Sequence, residues 1–101
     1  MDLRIIKSPS KSTLEILKRR IGNGINADFD RVGAVGLVQG KMIEMFCAMD
    51  IAEKAVDVTV GDVKGNCPQH MLMIAIFGDT AAVEVAMQDI KCRVEEGKSS
   101  C

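Results

Sequence analysis

Apolar residues recur along the chain with two periods, two for strands and roughly 3.6 for helices. Leu3 to Lys7 is a short β-type run closed by Ser8-Pro9-Ser10. Ser12-Thr13-Leu14-Glu15 has the form of a capping box, and Leu14, Leu17 and Ile21 follow at helical spacing, which predicts a helix from Thr13 to about Ile21. Gly22-Asn23-Gly24 stops it, and residues 25–30 read as a polar connector. Val32 to Gln39 is a strand whose two glycines, Gly33 and Gly36, predict the close approach of another backbone or a helix. From Lys41 to Ala55, Met42, Met45, Phe46, Met49 and Ala52 share one helical face, and Ile43, Cys47 and Ile51 widen it, so this helix is expected to be buried on more than one side. Val56, Val58 and Val60 alternate with polar residues as a half-buried strand. After the break at Lys64 to His70, Met71 to Phe77 is a continuous apolar strand. Gly78-Asp79 then caps a last helix with Val83, Ala86, Met87, Ile90 and Val94 on its inner face.

The order β-α followed by β-α-β-β-α predicts an α+β fold, a small sandwich of helices against one mainly antiparallel sheet. The wide apolar face of the second helix has two readings: a well-filled core, or surplus apolar surface that an oligomer covers. Residues 1–101 are read as one domain, with a β-α unit at 1–24, a core at 31–94 and a tail at 97–101.

Composition narrows the function. Thirteen basic residues against fourteen acidic ones leave a net charge of -1, which offers no basic footprint for nucleic acid or an anionic membrane. The amino terminus lacks the pattern of a signal peptide, and no apolar run approaches the roughly 18 residues that span a bilayer. The expected setting is the reducing cytoplasm, where Cys47, Cys67, Cys92 and Cys101 are thiols. A lone histidine builds no Ser-His-Asp set, and no glycine-rich phosphate loop is present, so the chain is not expected to be an enzyme.

From Val32 onward the chain resembles the bacterial microcompartment (BMC) shell domain. The matching residues are Gly33-Ala34-Val35-Gly36-Leu37-Val38, then Ala55-Val56-Asp57-Val58-Thr59-Val60-Gly61-Asp62, and Gly78-Asp79-Thr80-Ala81-Ala82-Val83-Glu84-Val85-Ala86, the last being similar to the family's helix-opening pattern. With the strand between them, these matches cover about two-thirds of the chain. Ordinary members carry their closing strand and helix behind this core. Here the β-α unit lies ahead of it, so the chain resembles the circularly permuted subclass. Some permuted members have an amino-terminal strand that builds a barrel over the pore; Leu3 opens this chain's first strand almost at once, so no barrel plug is expected.

What the resemblance implies is a homohexameric ring, tiled with other shell proteins around encapsulated enzymes, in a microcompartment within the cytoplasm. The pore would be lined by the loop after the Val56–Val63 strand: Gly65, Asn66, Cys67, Pro68, Gln69 and His70. Ordinary pore loops are short and rich in Gly and Ser. This one looks like the Gly-x-Cys-Pro loop of the divergent shell proteins of glycyl-radical propanediol compartments, which are associated with an iron–sulfur cluster. That motif continues with glutamine where His70 stands here. The implied metal ligand is Cys67, and the implied cofactor is an iron–sulfur cluster, [4Fe-4S], about one per hexamer, serving electron transfer or redox sensing. The family also uses edges such as Lys41-Met42-Ile43 for contacts between neighbouring rings.

Within one chain no Cys-x-x-Cys occurs, and the cysteine separations of 20, 25 and 9 residues fit no ferredoxin or zinc-ribbon pattern. A cluster held by one chain is therefore not expected, whereas a ring gathers six copies of Cys67 about one axis. A cubane has threefold but not sixfold symmetry, so three thiolates bind three irons and the fourth iron needs another ligand. Gly65 suits a tight approach, Asn66 a turn, and Pro68 stiffens the chain after the ligand. The other reading of Cys67 is a small turn residue that happens to carry sulfur, in a metal-free subunit conducting small metabolites. A third reading makes the chain a small ligand-binding regulatory domain. His70 reads as a structural or pore-facing group, Cys47 as a core hydrophobe, Cys92 and Cys101 as spare thiols, and the methionines at 42, 45, 49, 71, 73 and 87 as core packing.

Overall fold

A computed structural model describes residues 1–22, 31–55, 57–65 and 70–96. The element order is β1 (Asp2–Lys7), α1 (Lys11–Ile21), β2 (Ala34–Lys41), α2 (Met42–Glu53), β3 (Val58–Val63), β4 (Met71–Gly78) and α3 (Thr80–Glu96). The four strands form one sheet in the order β1-β2-β4-β3, and every neighbouring pair is antiparallel. The expected α+β class and antiparallel sheet are what the chain adopts.

Helices lie on both faces of that sheet. On one face α2 and α3 bury Met45, Ala48, Ile51, Ala52, Val83, Ala86, Met87 and Ile90 against Ala34, Val38, Ile74 and Ile76. On the other, Leu17 and Ile21 of α1 pack on Val35, Val63, Ala75 and Phe77. The alternation along β4 explains both cores: Ile74 and Ile76 face one layer, Ala75 and Phe77 the other. A strand covered on both sides is apolar at every position, which is why Met71 to Phe77 reads as an unbroken run. The inner face expected of α3 is the one buried, with Val94 partly buried at its end.

Gly36 in β2 and Gly33 just before it allow this helical layer to seat. A Cβ on Gly36 would come within 2.5 Å of Met87 Sδ, and one on Gly33 within 3.2 Å of the Thr80 amide nitrogen. The close approach of a helix expected from the sequence is α3. Helix capping follows two patterns. Asp79 Oδ1 accepts from the Ala82 amide at 2.8 Å, as Gly78-Asp79 implied. For α1, however, the cap is Ser10, whose side chain accepts from the Thr13 amide at 3.2 Å, and Ser12 lies inside the helix. The true start is earlier than the Ser12–Glu15 pattern suggested, because Ser10 has the extended backbone an N-cap needs. At the other end Gly22, with φ of +85°, receives the chain in a conformation that suits glycine. Asn23, Gly24, the connector at 25–30, Val56 and the tail at 97–101 lie outside the described residues.

The expectation that α2 is buried on more than one side does not hold within one chain. Met45, Ala48, Ile51 and Ala52 are buried, but Met42, Ile43 and Phe46 are 44%, 76% and 61% exposed. One face of α2 packs on β2, β3, β4 and α3, and Met42, Ile43 and Phe46 on its other side stay exposed.

Candidate functional site

The loop singled out by the sequence joins β3 to β4. Its strands pair in register up to Val63 opposite Met73, so residues 64–70 form a connection at one end of the sheet. Asn66, Cys67, Pro68 and Gln69 lie outside the described residues; Gly65 and His70 bracket them, and both are exposed.

Two anchors hold the ends of this loop. On the β3 side the Lys64 amide donates to the Arg20 carbonyl at 3.0 Å, and Arg20 Nη1 returns to the Lys64 carbonyl at 3.4 Å. The last turn of α1, with Lys18, Arg19 and Arg20, therefore stands beside the start of the loop. On the β4 side the Met42 amide donates to the His70 carbonyl at 2.7 Å, which ties the loop's end to the first residue of α2. Sequence reasoning missed Arg20 and Lys64. The basic run at 18–20 was a visible signal, but only the packing of α1 on β3 brings it to this loop.

His70 also borders a shallow apolar depression of about 780 Å³ with Lys41, Met42, Ile43, Phe46 and Met71. Among the described residues no three His, Cys, Asp or Glu side chains cluster as a metal site would require. Cys92 is a free, half-buried thiol whose Sγ accepts from Gln88 Nε2 at 3.3 Å. Cys47 departs from its expected role: it is half-buried rather than in the core, and it is disulfide-bonded, so it is not a thiol in this structure. Cys101 lies outside the described residues. Of the methionines assigned to core packing, Met45 and Met87 are buried, Met49 is packed on the core, and Met42 is exposed.

The arrangement is that of a building block with a loop displayed at one end. No described helix is long and apolar enough to cross a membrane. No family model and no curated protein matches the chain. Solved structures do. A ligand-free GrpU microcompartment shell protein from Clostridiales bacterium 1_7_47FAA is 48% identical, with 96% of this chain and 95% of that chain covered and a TM-score of 0.72. The ligand-free GrpU shell protein from Pectobacterium wasabiae is 33% identical, with 89% and 99% covered and a TM-score of 0.70. The chain belongs to the bacterial microcompartment shell proteins, as a circularly permuted BMC domain. Within that family its relatives are the GrpU shell proteins. It is a structural, not a catalytic, component of the shell of a microcompartment in the cytoplasm.

Proposed function

We propose that the chain builds a homohexameric ring in a microcompartment shell, that the 64–70 loop lines its central pore, and that Cys67 supplies the thiolates for an iron–sulfur cluster shared between subunits. The observation that carries the reading is the placement of the loop. Its described ends are held at one end of the sheet by two contacts, Arg20–Lys64 and Met42–His70, and ring symmetry would bring six copies of the segment they bracket to one axis.

The residues fit such a group in three respects. The loop offers one cysteine per chain, which requires ligands from different subunits. Arg20 and Lys64 put positive charge at the start of the loop, which would offset the negative charge of a thiolate-bound cluster. Gly65 keeps that charge close to the chain: a Cβ there would stand 3.4 Å from Arg20 Nη1. When bound, a [4Fe-4S] cluster supplies a one-electron redox centre, suited to electron transfer across the shell or to sensing redox state. The chain's own part is to carry the thiolate on a loop whose ends are braced, with Arg20 and Lys64 at its start. Other shell proteins and encapsulated enzymes are its partners on this reading, in a compartment of the glycyl-radical propanediol type.

Anaerobic purification of the wild type and Cys67→Ser, followed by absorbance, electron paramagnetic resonance and iron per ring, tests this. A brown wild type with about one cluster per ring and a colourless variant of equal ring size is the expected result. Iron-free rings, even after reconstitution, would leave a metal-free pore conducting small metabolites. A dimer or tetramer in native mass measurements would instead favour a small ligand-binding domain.

A further inference from the structure

The exposed large apolar side chains among the described residues are Ile5, Ile16, Met42, Ile43, Phe46 and Val85. Five of the six fall into two patches. The first is Met42, Ile43 and Phe46 at the start of α2, continuous with His70 and Met71 beside the loop. The second is a groove of about 820 Å³ between the edge strand β1 and helix α3, where Ile5 and Val85 stand with Leu3 and a rim that includes Arg4, Lys7 and Lys91. They share no lining residue: the first lies at the start of α2, the second between α3 and the edge strand β1.

A cyclic ring needs this arrangement. Each contact is heterologous, so one patch of every subunit meets a different patch of the next, and the same pair repeats until the ring closes. One apolar patch would give an isologous dimer; two unlike patches permit closure. The bond from the Met42 amide to His70 further fixes where the first patch sits, because the residues next to an axial loop lie where subunits are closest together. The sequence alone associated Lys41-Met42-Ile43 with contacts between rings, which occur at the rim. In the ring proposed above, their tie to the loop would turn them toward the axis.

We infer that, in the ring proposed above and resting on that reading, the Met42/Ile43/Phe46 patch of one subunit packs into the β1–α3 groove of its neighbour, against Ile5 and Val85. The occupant of each patch is thus a second copy of this chain.

Charge exchange across the contact is the test. Ile43→Glu and Val85→Lys are made singly and together in the full chain, with native mass as the readout and circular dichroism to check folding. Their 76% and 62% exposure makes both positions tolerant of charge in the folded subunit. Each single variant is expected to fall from six times the chain mass to the monomer, and the pair to regain the ring. A second measurement uses a short bis-maleimide on Ile43→Cys with Val85→Cys, in a background where Cys47, Cys67, Cys92 and Cys101 are all replaced by Ala. A ladder reaching six chains in the double variant, absent from either single one, supports the contact. Dimers from Ile43→Cys alone, or rings that persist in both charge variants, overturn it. A wild type without sixfold mass would instead sink the ring reading itself, so the two failures are told apart.

Discussion

The Met42 amide donates to the His70 carbonyl at 2.7 Å, one residue past the last pair of the β2–β4 ladder, where Lys41 lies opposite Met71. The ladder thus continues into the first residue of α2, and the helix start and the loop end become one unit. Glu44 reinforces the join from the helix side, since its Oε1 accepts from the Lys41 amide at 3.2 Å.

Met42→Pro isolates that bond. Proline is tolerated at a first helical position, and Lys41 already has the φ of -61° and ψ of 145° that a residue before proline requires. The substitution should cost about 0.5–1.5 kcal/mol through the lost hydrogen bond. Urea unfolding measures it, with Met42→Ala as the control for the side chain. Equal stability of the two variants would show that the bond contributes nothing.

The caps separate the observed helix start from the one the sequence suggested. Ser10→Ala should destabilise by about 1 kcal/mol, and Asp79→Ala by a similar amount, while Ser12→Ala should be close to neutral. A larger loss at Ser12 than at Ser10 in thermal or denaturant unfolding would return the helix start to Thr13.

Two glycines differ in what opposes them. Gly36→Ala meets Met87 Sδ, part of a flexible side chain, whereas Gly78→Ala places its Cβ 2.8 Å from the Asp57 carbonyl oxygen. Asp57 itself has φ of +63°, so that backbone has little freedom to move away. Gly36→Ala should cost about 1–3 kcal/mol, and less in a Met87→Ala background, where the clash is gone. Gly78→Ala should cost more than Gly36→Ala, with no comparable rescue. Chemical denaturation of the four proteins checks the order.

Core substitutions test the two-layer arrangement. Phe77→Ala opens the α1 side at a cost of about 3–5 kcal/mol, and Ile90→Ala opens the α2–α3 side at about 2–5 kcal/mol. Because the sheet separates the two clusters, the effects should add to within about 0.5 kcal/mol. Such losses approach the whole stability of a small domain, so the double variant is compared by midpoint in a stabilising osmolyte. Strong coupling would mean that the cores are not independent.

Much of this was legible in the residues. Periodicity gave every strand and helix to within a few positions, because amphipathic elements must show one face to a core, and the inner face of α3 at Val83, Ala86, Met87 and Ile90 was read directly. Gly36 announced the approach of α3 because only a missing Cβ admits Met87 there. The Cys67 loop was visible as an odd break between two apolar strands.

Periodicity along a helix cannot say how many of its apolar residues the same chain covers. Met45 and Phe46 read alike in the sequence, yet Met45 is fully buried and Phe46 is 61% exposed, and only the seating of α2 on the sheet separates them. Cys47, on the same helix, read as a core hydrophobe and is instead half-buried and disulfide-bonded. The cap of α1 went to Ser10 because capping depends on backbone geometry, which nearby serines share as candidates. Arg20 and Lys64 are 44 residues apart, so their meeting beside the loop comes from the fold. The sequence by itself determined the elements and the cysteine-bearing loop, since these follow from local pattern, and the permuted order through its resemblance to the shell family. Tertiary structure decided what braces that loop and which apolar faces remain open, since both depend on contacts between distant segments.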